Sequence, residues 1–555
     1  MEKLQKESSG SSSSFNLGDL ETKKVVSSIQ ESQDDESIQS TQKGDFKRTL
    51  TARHLQFLSM GANVGTGLFI GTSTQLTEGG SLAMILGFIF VNFIVASMLM
   101  SLTELTIMFP IHGSYIAYPA KFIDPAITFA FGYQLWVVCI LVFAIEGTTF
   151  CLLIEYWTVA IPKPASMAIF VLATLSLHIF PVSFFGKAET ATAILKLATL
   201  IGFFIFAITY LAGGTPVQQE DFTSFDSGNL FTNGFFGLVS VFVLGAFASG
   251  GTEIIGMAGA ETVNPRFNVP RAAKSTVARM FFIYVCVIVV LACSLSPSSP
   301  ALHQEKEAES SPFVIICKQA GVPVLANIVN AIILICVASV GNCYAFSGAR
   351  ILSFLASKNM GLKYFDKVDK KGRPITALIT TAIPCIALAF ITTIGSTKVV
   401  FDWLSRVIGL TIILIWFMVF IANARLRQII KAQNDTAFTE PYGFWHKWFA
   451  PVNYIGMVCV ILLIICQLLN TIHPVHGKAS VSLFFSNFLG ILVFIVSYIG
   501  YKIYHKDYKL LIPLEEVDIK TGRYYPHLDD ESISQIEDYY SKSLLKRIWT
   551  YATFQ

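Results

Sequence analysis

Charge is scarce in this chain. Asp, Glu, Lys and Arg make up 14% of its 555 residues, against 53% for the hydrophobic types, and Phe alone contributes 46. Soluble domains carry about 25% charged residues, so this scarcity excludes a soluble multidomain chain and marks a polytopic membrane protein. No CxxC pair occurs among the ten cysteines; nine lie in apolar runs, and Cys317 alone falls in an expected loop. That scatter argues against a disulfide framework or a zinc site, so the cysteines are expected as small buried hydrophobes, with no metal or other cofactor. No cleavable leader is visible. Residues 1–53 are polar, Ser-rich and mixed in charge, and read as a disordered tail. Clusters of His, Ser or Asp with catalytic spacing are absent from the ends of the apolar runs, which leaves a membrane enzyme as the weakest reading.

Where charge is missing, the runs are long. Twelve segments of at least 18 residues lack Asp, Glu, Lys and Arg: 55–77, 81–103, 125–145, 164–186, 197–219, 227–252, 280–304, 319–349, 374–397, 407–424, 448–477 and 479–501. About twenty apolar residues cross a bilayer, so twelve transmembrane helices are expected. The third should extend past Glu146 to Trp157, and the fifth should begin near Glu189. Glu104 and Glu155 stand at span ends, where hydration accounts for them, and His178 in the fourth span reads as a satisfied core histidine. The domain expectation is a twelve-helix unit at 54–505 and a C-terminal tail at 506–555.

Basic residues sort by side. Arg266, Arg271, Lys274 and Arg279 follow the sixth span, six Lys or Arg between Lys358 and Arg373 follow the eighth, and Arg425, Arg427, Lys431 and Lys447 follow the tenth. The connection 213–230 has no Lys or Arg. By the positive-inside rule both termini are cytoplasmic, which would leave the Asn434-Asp-Thr436 sequon unglycosylated.

Glycine interrupts two of the spans. Gly61, Gly65 and Gly67 fall within seven residues of the first, and Gly245, Gly250, Gly251 and Gly256 lie in the sixth. Each glycine costs a helix about 1 kcal/mol relative to alanine, and a lipid-facing backbone cannot leave amides unpaired. Broken helices five spans apart are the mark of a five-plus-five inverted repeat, with exposed backbone facing a midplane site; two extra helices complete the twelve.

An ordered series of motifs runs through these spans. It includes Arg53 and His54 with Gly65, Thr66 and Gly67; Glu104, Phe109 and Pro110; Gly113, Ser114 and Tyr115; Asp124 and Pro125; Glu155 to Trp157; Phe185, Gly186 and Glu189; and Leu195 to Leu197. Further along come Ser249, Gly250, Glu253, Glu261, Asn264 to Arg266, Pro270, Gly341, Asn342 and Arg350. Over roughly residues 47 to 505 the chain resembles the fungal amino-acid permeases of the amino acid–polyamine–organocation superfamily. It departs from their pattern at Ala62 and Asn63, and at Thr439 to Gly443.

An amino acid is a zwitterion and needs two opposite partners. Its carboxylate suits free amides at a half-helix N-terminus, here Gly65, Thr66 and Gly67. Its ammonium suits carbonyls freed by unwinding, with Ala62, Asn63, Phe247, Ala248, Ser249 and Gly250 as candidates. The resemblance implies the same division, with Phe247 as an aromatic gate or an ordinary packing residue. Lys196 is a charge inside a span and a functional candidate by default. The resemblance implies proton coupling, the alternative being a lysine that snorkels to the membrane surface. Glu253, two residues past the second break, could steady the unwound segment, face substrate or relay a proton. Glu146 reads as an ion-pair partner or a specificity residue.

The resemblance thus implies amino-acid import across the plasma membrane by proton symport with alternating access. A permease-like amino-acid sensor and a polyamine or other amine transporter are the alternatives, and a vacuolar location is the less favoured one. The partners implied are the substrate, the proton, the lipid bilayer and ubiquitination machinery acting on tail lysines such as Lys3, Lys6 and Lys43; nucleic acid is not among them. The lack of a P-loop lysine motif argues against direct ATP drive.

Overall fold

The computed structural model describes residues 52–543 and 546, apart from 218–222, 227, 258, 260–261, 263, 304–310, 370–371, 396, 438–448, 476 and 526–529. The expected tail at 1–53 therefore lies almost wholly outside the described residues, as does the segment 439–443. Helix dominates and no β-strand occurs among the described residues.

The first crossing is in three pieces: α1 (Ala52–Asn63), α2 (Thr66–Phe69) and α3 (Gly71–Gly79). Then follow α4 (Ser81–Met108), α5 (Ala117–Phe122), α6 (Pro125–Glu155), α7 (Lys163–Ser176) and α8 (Val182–Leu211). The second interrupted crossing is α9 (Gly234–Ser249) and α10 (Ile254–Met257). After it come α11 (Pro265–Arg279) and α12 (Val285–Ser294), joined by a π-helical turn at Met280–Tyr284, and the short α13 (Pro300–His303) and α14 (Pro312–Gln319). The remainder is α15 (Pro323–Ser357), α16 (Ile375–Ile391), α17 (Thr397–Ala432), α18 (Phe449–Ile472), α19 (Val481–His505) and α20 (Asp530–Ser541). Among the described residues, nine helical stretches are long and apolar enough to cross a membrane, and two more, Lys163–Ile179 and Ile375–Ile391, are apolar but shorter.

The boundaries differ from those set by charge alone. The run 164–186 straddles a turn: the helix ends in a 3-10 turn at Leu177–Ile179, and Pro181 precedes α8, which starts seven residues before Glu189. Proline suits the start of a helix because its missing N–H is unneeded there. The third span stops at Glu155, two residues short of Trp157. Its start is fixed by Asp124, whose side chain accepts the Ala126 N–H at 2.9 Å, with Pro125 next. Arg266, Arg271, Lys274 and Arg279 belong to helix α11, not to a loop. Cys317 is likewise helical and buried, in α14.

Outward faces are apolar. On α18, Tyr454, Ile455, Val458, Ile461, Leu462, Ile465 and Leu468 are exposed at helical spacing, the pattern of a helix in hydrocarbon rather than water. Polar side chains turn inward. Glu104, expected to be hydrated, is instead buried: it accepts two hydrogen bonds from Arg427 and one from Asn423 of α17. Helices α6 and α15 run along one another at the centre, α1 packs between α8, α11 and α15, and α9 lies against α3, α4 and α17.

The stretch after α19 is strapped back onto the helices. Ile512 N–H donates to the Ile123 carbonyl at 3.0 Å and Tyr524 N–H to the Met108 carbonyl at 2.9 Å. Gln433 donates to the Leu514 and Val517 carbonyls, and Arg523 Nη1 donates to both carboxylate oxygens of Asp435 at 2.9 and 3.0 Å. Val517 and Ile519 are buried beneath it. Charged hydrogen bonds of this kind contribute about 1.5–3 kcal/mol. Arg523→Ala is therefore expected to lower the melting temperature of the detergent-purified protein clearly, and Lys520→Ala, at an exposed position, to leave it unchanged.

Candidate functional site

The two helix breaks face each other. At the first, α1 ends at Asn63 and Gly65 adopts an extended conformation (φ −151°, ψ −147°) before α2 begins. At the second, Gly250 is extended and Gly251 has φ +90°, a conformation that favours glycine. Asn63 Nδ2 donates to the Gly250 carbonyl at 2.8 Å, and the Tyr284 hydroxyl donates to Asn63 Oδ1. Gly251 abuts Ala62: a Cβ there would come within 2.8 Å of the Ala62 carbonyl oxygen. Ala62 and Asn63, set apart in the sequence as departures, are thus the residues of α1 that touch the second break.

On the other side of the first break, Glu146 of α6 meets Gly65 and Thr66. The Thr66 hydroxyl donates to Glu146 Oε2 at 2.6 Å, and a Cβ on Gly65 would lie 3.1 Å from Oε1. Glu146 forms no ion pair among the described residues; its partner is a hydroxyl. Gly67 packs on the backbone of Ala248. The Phe247 ring is buried and meets Phe401 edge-on at 6.5 Å between centroids. The Ser249 hydroxyl is buried with no hydrogen-bond partner among the described residues. Glu253 folds back on its own break and accepts the Gly251 N–H at 3.2 Å. It also lines a small cavity with Tyr115, Cys139, Tyr344, Ser347 and Ile412.

Lys196 does not snorkel. Its side chain is fully buried and Nζ donates to the Gly61 carbonyl at 2.5 Å, one turn before the first break. Tyr284, Tyr344 and Ser339 reach this region without having been singled out, and nothing in their local sequence marks them; Asn342 stands in the motif series without a site role. Glu189 was placed as a helix start and in the same series, again without a site role, although an acidic residue seven positions before a buried lysine was a signal to follow. His178 sits at the edge of this core. Its ring stacks on Phe185 and Phe346, as a core histidine does, and its buried Nε2 has no hydrogen-bond partner among the described residues.

A buried polar seam between two opposed helix breaks suits a small polar ligand carried through a membrane. The amino acid permease family model matches residues 54–513. The chain belongs to the amino acid permease family. It is 32% identical over 527 residues to amino-acid permease GAP3 of Candida albicans, covering 93% of this chain and 87% of that protein. It is 32% identical over 498 residues to general amino-acid permease GAP1 of Saccharomyces cerevisiae, covering 87% and 81%. S-adenosylmethionine permease GAP4 of Candida albicans is 30% identical over 492 residues, covering 88% and 80%. This permease is therefore a multi-pass membrane transporter and not an enzyme, and both of its breaks fall within the matched residues.

Proposed function

We propose that this permease imports amino acids across the plasma membrane by proton symport with alternating access. The polypeptide would cross the bilayer twelve times, as a five-plus-five inverted repeat interrupted at α1–α2 and α9–α10 with two further helices. Both termini, and the strap that follows α19, would then lie in the cytoplasm, where tail lysines are open to ubiquitination. The twelve-helix unit, 54–505, would do the transporting.

The observation that carries this reading is the joint between the breaks: Asn63 bridging to Gly250, with Lys196 holding the Gly61 carbonyl beside it. Around that joint, Gly65, Thr66 and Gly67 would take the substrate carboxylate. Ala62, Phe247, Ala248, Ser249 and Gly250 would frame the ammonium, and the unpartnered Ser249 hydroxyl supports the presence of a ligand there. Phe247 would close over it. Protonated Lys196 would fasten α1 to α8, so that proton entry is tied to closure of the bundle. Glu253 would steady the second break and answer substrate charge. Glu146 and Glu253 bring two carboxylates to the site, and neither forms an ion pair among the described residues, which favours acceptance of cationic side chains. That breadth agrees with the names of the relatives, which range from general amino acids to S-adenosylmethionine.

Uptake of a labelled amino-acid panel in permease-deficient yeast at pH 5 and pH 7.5 tests the reading. Faster accumulation at pH 5 is expected, and Lys196→Met should abolish the difference. Flat uptake for every amino acid, with the protein at the cell surface, would favour a sensor; uptake of putrescine alone would favour an amine transporter. His112, outside the spans, does not confound the comparison. Burial, and then the Arg350 and Lys358 charges, push its pKa down to about 4, so it is neutral at both pH values.

A further inference from the structure

Two opposite charges are buried on one face of α8. Glu189 and Lys196 are seven residues apart, two turns or about 10 Å along the axis, and both are buried. They converge on the same residue of α1. Lys196 Nζ donates to the Gly61 carbonyl, while Glu189 Oε2 sits where a Cβ on Gly61 would come within 2.7 Å. Gly61 thus lies against both, and its missing side chain is what lets the carboxylate approach.

The Glu189 carboxylate is held from the far side by α15. Ser339 Oγ donates to Oε2 at 2.7 Å and Asn342 Nδ2 to Oε1 at 2.8 Å, with the Thr192 hydroxyl of α8 as a third donor at 3.4 Å. No cation pairs with it among the described residues. A carboxylate buried among neutral donors is costly in a membrane core, and a structural tie between α8 and α15 needs only an amide. The other titratable groups of this region are Cys343 and Cys336 from α15, which feel the Lys196 charge, and Glu146 from α6. Arg279 of α11 and Tyr284 of the π-turn line a pocket with Met60 and Asn63 of α1 and Leu197 and Leu200 of α8, and His178 packs on Phe185, one turn before Glu189. Among the described residues, Lys196 is the cation placed with Glu189 on Gly61.

We infer that Glu189 is the counter-charge to which Lys196 transfers its hydrogen bond when α1 withdraws during the transport cycle. Gly61 stands between the two in this structure. As α1 swings away, the ammonium loses the Gly61 carbonyl and gains the Glu189 carboxylate, already fixed by Ser339 and Asn342. Glu189 acts through Lys196 and does not touch substrate; it is a positioning residue. The inference rests on the reading of Lys196 as the coupling residue.

The test uses purified full-length protein in proteoliposomes, with two readouts: exchange of labelled for unlabelled substrate without a gradient, and accumulation driven by a pH gradient. For Glu189→Gln, exchange should stay within about three-fold while accumulation falls about ten-fold or more, as expected when one member of a buried charge pair is removed. Glu189→Asp should recover part of the accumulation. Gly61→Ala, whose Cβ would displace the carboxylate, gives a second arm with the same expected split, should Glu189→Gln not assemble. Accumulation undiminished in both Glu189→Gln and Gly61→Ala overturns the inference. Equal loss of exchange and accumulation in all three variants also overturns it, because that is the signature of a structural tie. Lys196→Met separates the two levels. If it retains full accumulation, the coupling reading itself fails; if it loses accumulation while Glu189→Gln keeps it, only the role of Glu189 fails.

Discussion

Gly67→Ala is expected to cut the initial rate of amino-acid uptake by about ten-fold or more, measured in permease-deficient yeast and normalised to surface protein. A Cβ on Gly67 would lie 2.6 Å from the Ala248 Cα and 3.1 Å from the Ala248 nitrogen. These are backbone atoms, so no rotamer change relieves the contact. One interrupted helix has to move away from the other, at a strain of about 1–3 kcal/mol. The displacement falls between the Thr66–Glu146 hydrogen bond and the Ser249–Gly250 break, where the proposed substrate contacts lie. Gly202→Ala is the control. Gly202 lies in α8, and nothing stands within 4 Å of an added Cβ, so the change should leave uptake intact and favour the helix by about 0.5–1 kcal/mol. Equal uptake by Gly67→Ala and Gly202→Ala would show that close approach of the two breaks is not needed for transport.

The second large effect is on stability. Arg427→Ala should destabilise the purified protein by about 3–5 kcal/mol, because it leaves the Glu104 carboxylate buried with its charge unpaired. The pair is tight: Arg427 Nη2 lies 2.5 Å from Glu104 Oε2, and the Glu104 side chain is 1% exposed. Asn423, bonded to the same carboxylate and to the Ser101 carbonyl, cannot replace a cation. The double variant Arg427→Ala with Glu104→Gln should recover much of the loss, since the isolated charge is then gone. Thermal unfolding in one detergent, compared across the single and double variants, reads this directly. Equal destabilisation in the single and double variants would mean that packing, not charge, holds α4 to α17.

The breaks were legible in the sequence because they are local: glycine weakens a helix wherever it stands, and three in seven residues needed no partner to be noticed. Lys196 was legible for a similar reason, as a charge where lipid excludes charge. Their partners were not. Tyr284 reaches Asn63 across 221 positions and Asn342 reaches Glu189 across 153, and neither segment carries a local mark of the contact. Helix limits failed for a related cause. Charge-free runs delimit spans only if internal charges are absent, yet Arg350, Glu104 and Arg427 sit inside helices where burial is compensated by partners. The turn before α8 was missed because Pro181, not a charge, marks it.

The strap also bears on how the protein is made. Thr521 accepts from Lys121 across 400 positions, and Tyr524 closes on Met108. At about 5–20 residues per second, roughly 20–80 s of translation separate these partners. For that interval the connection between α4 and α6 waits without its cover, and a ribosome that stops before Arg523 releases a helical unit whose covering strap is incomplete. Quality control that inspects this connection would see whether translation had passed Arg523.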